Sequence, residues 1–281
     1  MCYNTSPMTS RFLALVLLLA TAIACSESKK KEEPPPPPVS ELSMQETIAL
    51  EGNPGSTPPL ADATEPAPAP MEGLDGAPGP SPAYGPVAAP VYVFVLTDFQ
   101  CPVCRRAVEP LKYLARRYPN DVRLVVKQNA LVSHSRAAAA AAASIAAFRQ
   151  GKYWAYADRL FQSASGFDDD GLVTHAQALG LDAERFKKDM ADPSAAAQVK
   201  YENALANKFE LASTPGFIIN GTKQMGWGSY MGIKSGVEKE LARAKQIAAG
   251  GIAPDRVAYE ATKQSGPNGP AMADALFPKA K

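Results

Sequence analysis

The sequence has few of the residues on which several functional classes depend. Its 281 residues include only four cysteines and two histidines, and its formal net charge is +1. Four cysteines are too few for a disulfide-dense scaffold, and His134 and His175 do not complete the four-ligand set of a structural zinc site. The charge is balanced, and no basic patch is interleaved with aromatic residues. We therefore expect no bound metal and no nucleic-acid partner.

The first 24 residues have the features of a targeting segment. Arg11 precedes an apolar stretch, residues 12–23, that is too short to span a bilayer well. Small residues then lead to Cys25, and this arrangement resembles the lipobox of bacterial lipoproteins, although Ala22 stands where leucine is usual. The resemblance implies a lipoprotein-type signal peptide over 1–24 and a lipid anchor on Cys25. The alternative is an ordinary cleaved signal followed by an incidental cysteine.

Proline is concentrated in the segment that follows. Residues 26–90 hold 16 of the 26 prolines and almost no aromatic residues. Such a composition buries too little apolar surface to offset the entropy of ordering. We expect residues 25–86 to be a disordered tether that holds a folded domain away from a lipid surface. The plainer alternative is a spacer without a function of its own.

The chemistry of the chain is predicted at Cys101-Pro102-Val103-Cys104. Residues 91–97 are apolar and largely β-branched, which is typical of a buried strand, and a helical pattern begins near Pro102. The first sulfur then lies at a helix N-terminus, where unpaired N–H groups and the helix dipole favour a thiolate. Since Cys2 leaves with the signal and Cys25 carries lipid, the remaining pair is better explained as catalytic than as structural.

Several motifs resemble those of the thioredoxin superfamily, and within it the DsbA-like thiol–disulfide oxidoreductases. The residues that carry the resemblance are Asp98-Phe99-Gln100-Cys101-Pro102-Val103-Cys104, His134-Ser135-Arg136-Ala137 and Thr214-Pro215-Gly216-Phe217-Ile218-Ile219-Asn220-Gly221. The likeness covers residues 87–250. It implies an α/β thioredoxin-like fold, in which a central mixed sheet carries the Cys-x-x-Cys pair at the start of the first helix and a helical insertion separates strands two and three.

The hydrophobic pattern supports this element order. We predict strands at 91–97, 121–127, 215–220 and 223–227, helices at 102–118 and 229–249, and a series of helices over 133–211. Asn220-Gly221 predicts the turn of a β-hairpin. Residues 251–281 show little pattern beyond a short helix around 255–263, and we expect a C-terminal extension that is partly ordered at best.

The resemblance also implies roles for individual residues. Cys101 would be the nucleophile and the more exposed thiol, and Cys104 the buried resolving thiol. Pro215 would be a cis proline facing the disulfide, and Thr214 would contact the substrate backbone. The alternative for Pro215 is a trans proline that begins an edge strand. The exchange reaction needs no cofactor.

Other positions depart from the family pattern or are ambiguous. The buried acid that lies six residues before the first cysteine is Val95 here, so deprotonation relies on solvent or on another group. Lys127 resembles the lysine below the active site of thioredoxins and is a possible aid to proton transfer, with a solvated strand-end lysine as the alternative. We expect Asp98 to face outward and His134 to cap or pack. Val103 stands where the most oxidising relatives carry histidine, so we expect a lowered Cys101 pKa but a less extreme oxidant.

The expected function is therefore that of an envelope thiol–disulfide oxidoreductase. It would act on the periplasmic side, anchored to a membrane by lipid on Cys25, on cysteine-containing exported proteins, and would exchange electrons with a membrane redox partner. Two alternatives stay open. One is a reductase or isomerase of the same fold, and the other is a non-catalytic lipoprotein whose dithiol binds a partner or a copper ion.

Overall fold

The computed structural model describes residues 79–163 and 165–277. The predicted signal segment 1–24, the predicted lipidation site Cys25 and most of the predicted tether lie outside these residues. Within them, none of the helices combines the length and the apolar character that crossing a bilayer requires.

A mixed sheet of five strands forms the centre of the described chain. The strands are β1 (Ala83–Tyr84), β2 (Val91–Thr97), β3 (Val122–Gln128), β4 (Gly216–Ile219) and β5 (Thr222–Met225), and their order in the sheet is β1-β3-β2-β4-β5. β2 and β3 are parallel, whereas the other three neighbouring pairs are antiparallel. The predicted α/β architecture with a central mixed sheet is confirmed.

The helices follow the predicted order up to α8, whereas α9 was not predicted. They are α1 (Pro102–Arg117), α2 (Ala137–Arg149), α3 (Tyr153–Gln162), α4 (Asp169–Gln177), α5 (Ala183–Met190), α6 (Pro193–Lys208), α7 (Tyr230–Ala249), α8 (Val257–Lys263) and α9 (Gly269–Leu276), with a 3-10 turn at Pro254–Arg256 before α8. Helices α2 to α6 form the predicted helical insertion, which lies between β3 and β4.

Strand β2 is buried on both faces, and this explains its continuous run of apolar residues. Its side chains alternate between two separate clusters. One cluster is built on α1 and α7, and the other on α6, α8 and α9. The β2 residues in the first cluster are Val91, Val93 and Val95, and those in the second are Tyr92, Phe94 and Leu96.

The folded domain begins earlier than residue 87, the predicted boundary. Ala83 and Tyr84 form β1, which pairs antiparallel with Val125 and Leu124 of β3. Ser81 is buried, and its hydroxyl donates a hydrogen bond of 2.9 Å to Glu202 of α6. Residues 79–86 therefore belong to the domain and not to the tether. They form the edge strand next to β3 and hydrogen-bond a buried carboxylate on α6.

The domain also ends later than residue 250. The predicted short helix around 255–263 is present as the 3-10 turn and α8, but the segment is not a loosely attached extension. Phe277 is buried, with its ring centroid 4.9 Å from that of Tyr92 and 5.4 Å from that of Phe94. Residues 254–277 thus cover part of one face of the sheet, and the boundary predicted at 250 is wrong for this described portion.

The helical insertion has a core of its own, which extends to the cysteines. Tyr156, Leu160 and Phe186 are completely buried in it, and the Tyr156 hydroxyl donates to Leu172 O at 3.0 Å. The same cluster contains Cys101 and Cys104. The insertion therefore packs directly against the segment that carries the two thiols.

Candidate active site

The site is built where β2 ends and α1 begins. Cys101 is the N-cap residue of α1, with extended backbone angles (φ −79°, ψ 116°), and Pro102 is the first helical residue. The first helical hydrogen bond runs from Arg105 N to Cys101 O at 3.2 Å. The N–H groups of the first turn are therefore not used by the helix itself, and those of Val103 and Cys104 act on the Cys101 sulfur.

These surroundings stabilise a thiolate on Cys101. The pKa of Cys101 is lowered from its ordinary value of 9.0 to about 5, chiefly by a hydrogen bond from the Cys104 thiol. Burial of the sulfur opposes this change, and the backbone N–H groups of Val103 and Cys104 add to it. The direction agrees with the expectation from the helix N-terminus.

Cys104 has the opposite properties. Its pKa is raised because the sulfur is buried, and because its proton is held in the hydrogen bond to Cys101. Cys104 is 1% exposed and Cys101 is 6% exposed, so the order of exposure is the predicted one. Neither thiol is in a disulfide, and the structure therefore represents the reduced form of the pair.

The second predicted element, Thr214-Pro215, lies against Cys101. The Thr214–Pro215 peptide bond is cis, as predicted. Cys101 Sγ lies 3.5 Å from the backbone oxygen of Thr214, although the two residues are 113 positions apart in the chain. Pro215 O accepts a hydrogen bond of 2.8 Å from Gly226 N, which joins this loop to the end of β5. The sheet thus brings together Cys101, Cys104, Thr214 and Pro215.

Lys127 is not brought to the thiols. In the β2–β3 register Lys127 pairs with Leu96, whose side chain belongs to the cluster built on α6, α8 and α9. Its ammonium group donates to Ser81 Oγ at 2.7 Å and lies 3.5 Å from Glu202 Oε1. Lys127 is therefore buried in an ion pair on the face opposite α1, and neither the predicted position below the thiols nor the solvated alternative describes it.

The position of the missing acid is apolar, as the sequence indicates. Val95 lines a cavity of about 30 Å³ together with Thr97 and Val126, and among the described residues no carboxylate lines it. Lys112 lies at its edge and forms ion pairs with Glu109, at 3.3 Å, and with Asp158. The hydroxyl of Thr97 hydrogen-bonds the Cys104 thiol.

Asp98 is the site residue that sequence reasoning missed. It was expected to face outward, but its side chain is completely buried, and its Oδ2 lies 2.8 Å from His134 Nδ1. His134 is therefore a hydrogen-bond partner of Asp98 and not only a cap or packing residue. Both residues lie in motifs that resemble the family. Their presence in those motifs was the one sequence signal that could have predicted the contact between them.

The described residues hold no group of three or more His, Cys, Asp or Glu side chains placed to bind a metal ion.

The comparison with solved structures agrees with this geometry. A thioredoxin-like oxidoreductase from Silicibacter pomeroyi DSS-3 is 31% identical, with a TM-score of 0.54 over 58% of this chain and 92% of that one. A periplasmic thioredoxin-like protein from Salmonella enterica serovar Typhimurium is 21% identical, with a TM-score of 0.52 over 60% of this chain and 94% of that one. The second likeness shows the shared fold alone.

The curated relatives are longer proteins. Na(+)/H(+) antiporter NhaA 3 of Salinispora tropica is 30% identical over 181 residues, which are 64% of this chain and 28% of that protein. The chain spans about a quarter of the length of the curated relatives it matches. The antiporter activity in that name is therefore a property of a protein of which this chain resembles one part.

The match to a family model covers most of the described domain. The model Thioredoxin_4, described as thioredoxin, matches residues 78–239, more than half of the chain. This range includes the Cys101–Cys104 pair, the cis Thr214–Pro215 bond and the whole helical insertion. The thiol-disulfide exchange protein alpha-DsbA2 from Wolbachia pipientis is 16% identical, with a TM-score of 0.52 over 57% of this chain and 86% of that one, and this likeness again shows the shared fold alone. The chain belongs to this thioredoxin family.

Proposed function

We propose that the protein is a thiol–disulfide oxidoreductase that exchanges disulfides with cysteines of exported proteins through Cys101 and Cys104. The observation that carries this proposal is the opposite displacement of the two thiol pKa values. The pKa of Cys101 is lowered to about 5, and burial raises the pKa of Cys104. At neutral pH Cys101 is then a thiolate beside a protonated Cys104, which is the distribution that disulfide exchange uses.

In the oxidising direction the reaction starts from the Cys101–Cys104 disulfide. A substrate thiolate attacks Cys101 Sγ, the Cys101–Cys104 bond breaks, and the electron pair passes to Cys104, which takes up a proton. A second substrate thiolate then attacks the substrate sulfur of the mixed disulfide, and Cys101 leaves as a thiolate. The substrate has lost two electrons to the protein disulfide. Cys101 is the favourable leaving group because its pKa is the lower of the two.

In the reducing direction the same steps run backwards. The Cys101 thiolate attacks a substrate disulfide, whose S–S bond breaks and releases one substrate thiolate. Cys104 then loses its proton and attacks Cys101 Sγ, which forms the Cys101–Cys104 disulfide and releases the second substrate thiolate, so the protein dithiol has given two electrons to the substrate. Thr214 and Pro215 would align the substrate. Cys101 Sγ lies 3.5 Å from Thr214 O, so a substrate segment that runs along Thr214 would place its own sulfur beside Cys101. Every step uses protein and substrate thiols, so no cofactor enters.

We assign this activity to the cell envelope, on the periplasmic side, with the chain anchored to a membrane by lipid on Cys25. A membrane redox partner would restore the active redox state of the pair. The lipobox-like end of the signal segment supports the anchor, and the periplasmic neighbour from Salmonella supports the compartment.

The test is the reduction potential of the Cys101–Cys104 pair, measured by equilibration with glutathione. We expect a value below about −120 mV, the potential of a strong disulfide donor, but clearly above about −270 mV, the potential of a thioredoxin. We also expect the oxidised protein to form disulfides in a reduced, unfolded test protein. Cys104→Ser is the matched control, because it keeps Cys101 but cannot close the disulfide.

The outcomes distinguish three hypotheses: an oxidase, a reductase or isomerase, and a non-catalytic binding protein. A potential near about −270 mV would mean that the protein delivers electrons, as a reductase or isomerase does, and would contradict the oxidising direction. Failure to form any Cys101–Cys104 disulfide would contradict the enzymatic proposal and favour a lipoprotein that binds a partner or copper through its dithiol.

A further inference from the structure

The turn that precedes Cys101 is organised by one buried carboxylate. Asp98 Oδ1 accepts a hydrogen bond from Gln100 N at 2.7 Å, and Asp98 O accepts one from Cys101 N at 3.1 Å. Asp98 Oδ2 accepts from Leu131 N at 2.8 Å and from His134 Nδ1, also at 2.8 Å. A carboxylate only accepts hydrogen bonds, so the ring nitrogen is the donor in the last contact.

These bonds are of two kinds. The bond to Gln100 N is local, and a polar residue in many turns makes one like it. The two bonds to Oδ2 reach 33 and 36 residues along the chain, to the loop between β3 and α2. A local turn does not need them. They join the loop that carries Cys101 to a second loop beside it, and they use a side chain that is costly to bury unless it is fully bonded.

Two further contacts join the same two loops. Gln100 Oε1 accepts from Arg136 N at 2.8 Å, and Asn129 N donates to Thr97 O at 2.8 Å. The β3–α2 loop therefore supports the Cys101 turn from Thr97 to Gln100, immediately before the nucleophile. His134 is the member of this contact that is partly open to solvent, with 25% of its side chain exposed.

We propose that Asp98 and His134 are a positioning pair for Cys101, which holds the thiol against the first turn of α1 and beside Thr214 O. This proposal rests on the proposed function. The Asp98 backbone N–H hydrogen-bonds the Cys104 sulfur, and the two side chains of the pair act on Cys101 through the turn. The pair acts through the Cys101 turn: Asp98 fixes the backbone on either side of Gln100, and His134 fixes Asp98.

The alternative is a purely electrostatic effect, and the two predict opposite signs. The negative charge of Asp98 is close in sequence to Cys101 and by itself opposes a thiolate there. If charge were the only effect, Asp98→Asn would lower the Cys101 pKa. If Asp98 positions the turn, the same change misaligns the sulfur with the N–H groups of α1, and the Cys101 pKa rises.

The experiment titrates the Cys101 thiolate by its ultraviolet absorbance in the reduced full chain. The variants are Asp98→Asn, His134→Ala and His134→Asn, in which the amide N–H takes the place of the ring Nδ1–H. His175→Asn is the matched control, because His175 is the only other histidine in the chain and lies in α4. Exchange with oxidised glutathione is measured on the same samples.

We expect Asp98→Asn and His134→Ala to raise the Cys101 midpoint by about one pH unit, the effect of one lost hydrogen bond. His134→Asn and His175→Asn should stay close to the unmodified protein. A lowered or unchanged midpoint in either of the first two variants would overturn the proposal, as would a His134→Asn variant as impaired as His134→Ala.

The design also separates this proposal from the proposed function. The thiolate titration reports on positioning even if the unmodified protein fails to exchange with glutathione, and that failure would contradict the function alone. If Asp98→Asn does not fold, as judged by circular dichroism, the comparison of His134→Ala with His134→Asn decides the question.

Discussion

The lowered pKa of Cys101 predicts that the reduced protein becomes more stable as the pH rises. Between pH 5 and pH 9 the folded state holds Cys101 as a thiolate, whereas the unfolded state still holds it as a thiol. The unfolded state then binds one more proton, so the free energy of unfolding increases with pH. This stabilisation is complete above the unfolded value of 9.0 and is lost as the pH falls through about 5.

The magnitude follows from the two pKa values. Each pH unit between them adds about 1.4 kcal/mol to the free energy of unfolding. At pH 7, two units above the folded pKa of about 5, the contribution is about 3 kcal/mol. Typical domains unfold with a free energy of about 5–15 kcal/mol, so the effect is a large fraction of the total.

The assay is urea unfolding of the reduced protein and of Cys101→Ser, from about pH 4 to about pH 8. Serine has nearly the size of cysteine but does not ionise in this range, so other titrating groups cancel in the difference between the two proteins. Only the dependence of that difference on pH is interpreted, because the substitution also changes the baseline. We expect the difference to be constant below pH 5 and to rise steadily above it.

A difference that stays flat from pH 5 to pH 8 would refute this reasoning. It would mean that the hydrogen bond from Cys104 and the N–H groups of α1 do not outweigh the burial of the Cys101 sulfur. The function proposed above would then lose its main physical support, since Cys101 would be a thiol at neutral pH.

Three further predictions concern the site and the domain boundaries. Cys104→Ala removes the hydrogen bond that most lowers the Cys101 pKa, so thiolate absorbance should give a Cys101 pKa closer to 9.0, with a smaller rise in Cys104→Ser, which keeps a donor. Glu202→Gln leaves the Lys127 ammonium buried without a counter-charge and should cost about 3–5 kcal/mol in urea unfolding, part of which Lys127→Met should recover in the double variant. Phe277→Ala should cost about 3–5 kcal/mol in the same assay, because its ring packs against Tyr92 and Phe94.

Each of these has an outcome that would contradict it. Equal Cys101 pKa values in Cys104→Ala and in the unmodified protein would remove Cys104 as the stabilising donor. A loss below about 1 kcal/mol in Glu202→Gln would show that Lys127 does not need the counter-charge. A change within about 0.5 kcal/mol for Phe277→Ala would show that the C-terminal segment is not part of the cooperative domain.

Most of the sheet and the dithiol could be predicted because their signals are local. The predicted and observed bounds of strand β2 agree, because six of its seven residues form one continuous apolar run. Pro102 at the first position of α1 is typical of a helix start. The Asn220-Gly221 hairpin follows from two adjacent residues that both adopt positive φ, 42° and 88°.

Asp98 could not be placed in the same way, because its partners are distant in sequence. A short polar residue directly after a strand is normally a turn residue that faces solvent. Here the partners that bury it are Leu131 and His134, 33 and 36 residues later. Lys127 was misplaced for the same reason, since Glu202 lies 75 residues away on α6.

The packing of the C-terminal helices was not predicted, although the sequence of β2 indicated that a further element must cover it. A strand with large apolar side chains on both faces has to be covered twice. Helices α1 and α7 cover one face of β2. The rings of Tyr92 and Phe94 lie on the other face, in the same cluster as Leu205 and Ala206 of α6. No packing position was predicted for the chain after α7. Phe277, which lies in that part, packs against both rings. The helix around 255–263 was predicted, but its packing on the sheet was not, and α9 was missed. Helices α8 and α9 have only seven and eight residues, about two turns each, which is too short for a clear helical period. The demand for a second cover on β2 was therefore better evidence for the C-terminal fold than the local pattern of the C-terminal residues.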